Sequence, residues 1–100
     1  MEKTLIFEPY DLKGLSLSNR IVMAPMTRSR AVNEDHAAAE LQATYYAQRA
    51  TAGLIITEGT FISEDAVGVI HVPGIYSTQQ VEGWKRSTDA VHAAGGKIFA

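Results

Sequence analysis

The stretch that decides the fold is Arg20-Ile21-Val22-Met23-Ala24-Pro25-Met26-Thr27-Arg28, a short apolar run that stops at a proline. Its apolar residues do not alternate with polar ones, which indicates a strand covered on both faces, as in a parallel sheet under helices. Pro25 ends the strand because proline has no N–H to donate to a neighbouring strand. We therefore predict a buried strand over residues 20–24 that opens onto a functional loop.

The composition is that of an ordinary soluble globular domain. The chain has 100 residues, of which 46% are hydrophobic, with no cysteine and a formal net charge of −2. This balance excludes a disordered or disulfide-stapled class, and its mild acidity argues against a nucleic-acid partner. The first apolar run, Leu5-Ile6-Phe7, is too short for a signal-peptide core or a membrane span. We therefore expect a cytoplasmic protein with no membrane contact.

The first half of the chain predicts a hairpin and a helix around this strand. Residues 5–19 hold two short alternating pieces around Gly14, which favours a β-hairpin. Residues 37–51 are rich in helix formers, and Leu41, Tyr45 and Gln48 form a stripe that we expect to face the sheet. Long polar loops are predicted over residues 27–36 and 61–76.

The second half predicts two more strands and a second helix. Residues 54–57 are predicted to form another covered strand. It is followed by Glu58-Gly59-Thr60, just as the first strand is followed by its loop. Ser77 and Gln80 have the spacing of a capping box and predict the start of a helix. Its predicted buried stripe is Val81, Trp84, Thr88, Val91 and His92. Residues 97–100 begin a third strand.

Strands that alternate with helices imply parallel neighbours joined by right-handed crossovers. A dinucleotide-binding sheet would need a glycine-rich first turn, and there is no glycine between Thr27 and Thr51. We predict an α/β chain that forms the N-terminal part of a (β/α)8 TIM barrel, a hairpin lid followed by the first βαβαβ units. Because such a barrel takes roughly 250 residues, residues 1–100 are expected to be one segment of a single barrel domain whose remainder lies outside this chain.

The residues also carry a resemblance to a known family. The matching segments are Asn19 to Arg28, Tyr45 to Ala50, Gly53 to Thr60, Pro73 to Ser77, and Trp84-Lys85. In this order and at these separations they resemble the N-terminal part of the Old Yellow Enzyme family. The resemblance implies an FMN-dependent enzyme that uses NAD(P)H to reduce the activated C=C bond of small α,β-unsaturated carbonyl or nitro compounds.

Four residues are expected, from this resemblance, to contact the flavin. The backbone of Pro25 and Met26 would line one face of the isoalloxazine ring, and Thr27 would hydrogen-bond its O4 edge. Gly59 resembles the small residue that lets a strand end approach the ring. A donor at O4 stabilises the negative charge that grows on this edge during reduction, so the chemistry agrees with the implied role.

No catalytic residue is assigned within the chain. In the family, the residues that anchor the substrate and donate its proton come at later positions, so the isolated segment is expected to be inactive without the remaining barrel or a complementing chain. The three histidines have no second ligand at metal-binding spacing, and no metal site is predicted. Glu58 is interpreted as a structural ion-pair or hydrogen-bond partner. Tyr45, Tyr46 and Trp84 are interpreted as packing residues whose polar groups are satisfied.

Two other interpretations remain open. The chain could be a non-catalytic fragment or assembly piece of a barrel. It could also belong to another FMN barrel oxidoreductase, of the dienoyl-CoA reductase or dihydrouridine synthase type. A dihydrouridine synthase would need a basic RNA-binding face, and this segment is not basic.

Overall fold

The computed structural model describes residues 4–100, in which a short 3-10 helix (Leu5–Phe7) precedes the predicted β-hairpin. Strands β1 (Tyr10–Leu12) and β2 (Leu15–Leu17) pair antiparallel, with Tyr10 opposite Leu17. The two residues between them, Lys13 and Gly14, have φ angles of 48° and 95°. Positive φ at both positions is the signature of the tight turn that matches the twist of a hairpin. The hairpin prediction is confirmed.

The remaining strands form one parallel sheet. Its strands are β3 (Val22–Met23), β4 (Leu54–Ile56) and β5 (Ile98–Phe99), and β4 lies in the centre. Helix α1 (Glu40–Ala47) connects the first two strands and helix α2 (Thr78–Ala93) connects the last two. The predicted order of strands and helices is therefore confirmed. Between residues 4 and 100, no helix is both long and apolar enough to cross a membrane.

Strand β3 is shorter than the predicted strand over residues 20–24, and the predicted burial was wrong within residues 4–100, because Val22 is 46% exposed at the edge of the sheet. The Arg20 N–H donates to Ile6 O at 2.9 Å, and the Ile21 N–H donates to Asn19 Oδ1 at 3.0 Å. Because these two N–H groups bond to atoms outside the sheet, the strand begins only after Ile21. Pro25 ends the strand on the other side, as predicted.

The predicted buried stripe of α1 was wrong by one position. Leu41 is 61% exposed, whereas Gln42 and Tyr46 are only 2% and 1% exposed. The helix also begins later than predicted, after Ala39, whose N–H donates to Gln42 Oε1 at 2.8 Å. Leu41 and Tyr45 lie on a different side of this helix from Ala43 and Tyr46, so its apolar pattern is weak. Packing against α2 and β4 selects the buried face instead.

The predicted start of α2 is confirmed. Ser77 Oγ accepts from the Gln80 N–H at 3.2 Å, and Gln80 Oε1 accepts from the Ser77 N–H at 3.1 Å, which is a complete capping box. Further along the helix, Trp84 and Val91 are buried as predicted, whereas Val81 and His92 are exposed and were predicted wrongly. Trp84 and Val91 belong to a core of seven residues: Ala38, Tyr46, Ala50, Ile55, Trp84, Val91 and Ile98.

One side chain aligns the starts of β3 and β4. Asn19 Oδ1 accepts from the N–H groups of Ile21 and Gly53, at 3.0 and 2.8 Å, and Asn19 Nδ2 donates to Thr51 O at 2.8 Å. A Cβ on Gly53 would lie 2.1 Å from Asn19 O, so only glycine allows this approach. The two strands are therefore held in register where they enter the sheet.

We predict that Gly83→Ala destabilises the fold. A Cβ at this position of α2 would lie 2.2 Å from the backbone oxygen of Ala38. Overpacking of this kind costs roughly 1–3 kcal/mol, which exceeds the gain of at most about 1 kcal/mol expected from replacing a helical glycine by alanine. Urea unfolding measures the change in the free energy of unfolding. Glu82→Ala, at the exposed neighbouring position, is the control, and a Gly83→Ala variant more stable than the parent would contradict this close packing.

Candidate functional site

The predicted site residues leave the sheet at one edge. Val22 pairs with Leu54 and Met23 with Ile55 in a parallel register, so the carboxyl ends of β3 and β4 lie side by side. The segment Pro25 to Thr27 follows one of these ends and Gly59 follows the other. In parallel α/β proteins the loops at this edge form the ligand site.

The segment after β3 is accessible. Pro25, Met26 and Thr27 are all exposed, and Met26 has 43% of its surface accessible. Within residues 4–100 the Thr27 hydroxyl makes no hydrogen bond to another residue. A free hydroxyl and a proline-containing backbone therefore border the open edge of the sheet.

Gly59 has no structural reason to be glycine in the part of the chain that the structure describes. A Cβ built on it meets nothing within 4 Å, and its φ is not positive. Six other glycines do have a reason: Gly53, Gly74, Gly83 and Gly96 lie against neighbouring atoms, and Gly14 and Gly95 have positive φ. The space above Gly59 is therefore available to a group from outside these residues.

A buried acid lies directly before Gly59. Glu58 is 2% exposed and forms two hydrogen bonds with the hydroxyl of Tyr46 on α1. The hydroxyl donates to Glu58 Oε2 at 2.8 Å and accepts from the Glu58 backbone N–H at 2.9 Å. The interpretations of Glu58 as a hydrogen-bond partner and of Tyr46 as a core residue with a satisfied hydroxyl are confirmed. The interpretation of Tyr45 was wrong, because its hydroxyl makes no hydrogen bond within residues 4–100.

Burial dominates the electrostatics of this pair. It raises the pKa of Glu58 above its ordinary value, and the hydrogen bond from Tyr46 and the nearby Arg28 offset this increase only in part. Burial also raises the pKa of Tyr46 well above its ordinary value, so its hydroxyl stays protonated and can donate. Glu58 is therefore a buried acid whose carboxylate accepts a hydrogen bond from the neutral hydroxyl of Tyr46.

Glu58 also lines a cleft of about 200 Å³. Glu58 Oε1 and Gln42 Nε2 are buried and have no hydrogen-bond partner within residues 4–100. The cleft is lined by Arg28, Arg30, Leu41, Gln42, Tyr45 and Glu58. The Arg28 guanidinium carbon lies 5.8 Å from the centre of the Tyr45 ring, within the range of a cation–π contact. The residue after Thr27 therefore contacts the same helix as the residue before Gly59.

The two long loops at this edge are also joined by backbone hydrogen bonds. The Ala31 N–H donates to His71 O at 2.9 Å, and the Gly74 N–H donates to His36 O at 2.8 Å. Both histidines have left-handed φ angles, 57° for His71 and 51° for His36. Within residues 4–100 no three side chains are grouped so as to hold a metal ion.

The sequence patterns predicted where both strands end, but they did not predict the hydrogen bonds between Tyr46 and Glu58. The two residues are 12 positions apart, and no local motif links them. The available signal was an acid directly after a covered strand, together with a second tyrosine on the helix that precedes it.

Fold and site define an α/β segment that presents the carboxyl ends of parallel strands, with their loops, as a binding edge. The sequence model of the NADH:flavin oxidoreductase / NADH oxidase family matches residues 5–100. The chain belongs to this family, and the resemblance to Old Yellow Enzymes is confirmed.

Named relatives agree with this assignment. The 12-oxophytodienoate reductase 7 of Oryza sativa subsp. japonica is 48% identical over 95 residues, which cover 94% of this chain and 24% of that protein. A probable flavin mononucleotide-dependent alkene reductase of Leishmania infantum is 43% identical, covering 95% of this chain and 26% of that protein. The solved structure of the old yellow enzyme homologue from Zymomonas mobilis is 52% identical with a TM-score of 0.91, covering 97% of this chain and 27% of that one. The chain thus spans about a quarter of the length of these relatives.

We predict that Glu58→Gln changes how stability depends on pH. The raised pKa means that the folded state holds this proton more tightly than the unfolded chain, whose reference value is 4.5. The stability that the protonated acid contributes is complete below this reference value, and it is lost as pH rises through the folded-state pKa. Glutamine cannot ionise, so the variant should gain stability relative to the parent as pH rises from about 4 to about 8.

Thermal unfolding at a series of pH values measures this difference. Glu82→Gln, at an exposed glutamate of α2, is the control for removing one negative charge. A constant difference between the Glu58→Gln variant and the parent over the whole range would contradict the raised pKa.

Proposed function

We propose that this chain forms the N-terminal part of a (β/α)8 barrel that binds FMN and, as part of the complete protein, reduces activated C=C bonds with NAD(P)H. The observation that carries the proposal is the side-by-side exit of Pro25 to Thr27 and Gly59 at the carboxyl edge of the parallel sheet. Membership of a flavin oxidoreductase family supports the cofactor. The named relatives support the reaction class.

The residues at this edge fit a planar cofactor. The exposed backbone of Pro25 and Met26 would lie along the ring, and the free hydroxyl of Thr27 would donate to an oxygen at its edge. The open space above Gly59 would admit the ring without a side chain in the way. FMN supplies the hydride chemistry when it is bound, and these residues hold and orient it.

The exposed strand residues support a role within a larger barrel. Val22 on one outer strand is 46% exposed and Phe99 on the other is 52% exposed, although both belong to apolar strands. Apolar outer strands are stable when another strand or helix covers them. We propose that the remaining barrel is the partner of this segment, that it supplies the catalytic residues, and that residues 1–100 alone are inactive.

The substrate that we propose is a small alkene activated by a carbonyl or nitro group. The name of the Leishmania infantum relative, an alkene reductase, supports this class. Val69 and Ile70, in the loop after β4, are 51% and 70% exposed, and they give that loop an apolar surface. An apolar loop beside the flavin edge suits an uncharged substrate better than a charged one.

The function is tested with the complete protein purified with FMN. We expect a yellow protein whose visible absorption bleaches on anaerobic addition of NADPH or NADH and returns on addition of a cyclic enone. Cyclohexene has no activating group, so it is the control and should leave the protein bleached. A protein that stays colourless with added FMN would contradict the proposal.

We predict that Gly59→Ala weakens FMN binding without weakening the fold. The added methyl group meets no atom within 4 Å in the described residues, so the stability of the flavin-free protein should be unchanged or slightly higher. The methyl group would instead enter the space proposed for the ring, and overpacking by one methyl group corresponds to a roughly tenfold or larger rise in the Kd for FMN.

Fluorescence titration with FMN and thermal unfolding of the flavin-free protein provide the two measurements. Ser16→Thr is the control, because it adds one methyl group at an exposed position of hairpin strand β2, outside the proposed site. Equal FMN affinity in the Gly59→Ala variant and the parent would remove Gly59 from the site.

A further inference from the structure

Glu58 lies one residue beyond the last ladder hydrogen bond of β4. The Thr57 N–H donates to Phe99 O of β5 at 2.9 Å, and no strand accepts from the Glu58 N–H that follows. Since successive amides of a strand point to opposite neighbours, the Glu58 N–H points to the side of β3, which has already ended at Met23. The Tyr46 hydroxyl takes the place of the missing strand at 2.9 Å.

The same hydroxyl also orients the Glu58 side chain. It donates to Oε2 at 2.8 Å, so one oxygen atom holds both the backbone and the carboxylate of a single residue. With its peptide plane and its side chain both held, Glu58 has little freedom to rotate. The backbone that leads into Gly59 is therefore fixed one residue beyond the end of the sheet.

The Tyr46 ring is held in a fixed position by the core, so its hydroxyl can orient Glu58. Its ring is 1% exposed and lies in the core, with ring centroids 5.2 Å from Tyr45 and 6.1 Å from Trp84. The position of the hydroxyl is thus set by the packing of α1 against α2, and not by the loop that it holds.

The free-energy cost of burying the Glu58 carboxyl group argues against a purely stabilising role for its contact with Tyr46. Glu58 is buried, its Oε1 has no partner within residues 4–100, and burial raises its pKa. An apolar residue of similar size would fill this position without the desolvation cost of a buried acid. A feature that costs stability but fixes backbone direction suits a binding site, where orientation matters more than stability.

We propose that Tyr46 is a positioning residue of the FMN site, which acts through Glu58 to fix the backbone from which Gly59 meets the flavin. This inference rests on the proposed function. It makes stability and FMN affinity respond in opposite directions when the acid is replaced by an apolar residue.

The main test compares Glu58→Met with Glu58→Gln, with the Kd measured by titration with FMN and the unfolding temperature measured on the flavin-free protein. Methionine is apolar and of similar length, so the unfolding temperature should rise, but the acceptor for Tyr46 is lost. Loss of one hydrogen bond of this kind corresponds to a roughly fivefold to tenfold rise in the Kd for FMN. Glutamine keeps an oxygen acceptor for Tyr46, so its Kd should stay within about threefold of the parent value.

A second pair of variants removes hydroxyl groups from neighbouring tyrosines. Tyr46→Phe loses both hydrogen bonds to Glu58 and should raise the Kd for FMN as Glu58→Met does. It should also shift the midpoint potential of the bound flavin at saturating FMN. Tyr45→Phe is the matched control, because the Tyr45 hydroxyl makes no hydrogen bond within residues 4–100, and it should change neither quantity.

The outcomes separate the two proposals. If the parent protein binds no FMN, the proposed function fails and this inference fails with it. If the parent binds FMN and Glu58→Met binds it equally well, the inference alone is overturned. A Glu58→Gln variant that loses as much affinity as Glu58→Met overturns it too, because the negative charge would then matter and not the hydrogen bond. Tyr46→Phe adds a second measurement of the same contact, and the Glu58 pair decides the question even where that variant does not fold.

Discussion

The hydrogen bonds between the Tyr46 hydroxyl and Glu58 join the core of this segment to its open edge. One oxygen atom donates to the buried carboxylate and accepts from the backbone N–H of the same residue. Because the tyrosine ring is packed between the helices, the position of that oxygen is determined by the core. The backbone at the end of β4 is therefore fixed as well, and so is the start of the exposed segment that follows it.

The Asn19 side chain fixes the backbone at the opposite end, where β3 and β4 begin. Asn19 joins the first amide before β3 to the first amide before β4, and Gly53 permits the close approach. Strands β3 and β4 are thus held where they begin by the Asn19 amide, and the end of β4 is held by the Tyr46 hydroxyl. A two-residue strand such as β3 makes few ladder bonds, so its register depends on these side-chain contacts.

The candidate site depends on this register. Only a parallel pairing in which Val22 lies opposite Leu54 carries the exposed Pro25 to Thr27 segment and Gly59 to the same edge. The sequence patterns predicted both strands and their common edge because covered apolar runs and their terminal proline or polar residues are local features. The family resemblance assigned a cofactor to that edge. The steric freedom around Gly59, which makes the flavin assignment testable, is visible only in three dimensions.

The sequence by itself determined the elements whose causes are local. The turn at Lys13-Gly14, the capping box of Ser77 and Gln80, and the end of β3 at Pro25 each depend on backbone geometry or hydrogen bonds within a few residues. Only the tertiary structure decided which face of α1 is buried and where the Tyr46 hydroxyl is used. The apolar residues of α1 do not share one face, so packing in the core with Trp84 of α2 and Ile55 of β4 placed Tyr46 inside and Leu41 outside. A residue 12 positions away then completed a hydrogen-bond pair that no local pattern encodes.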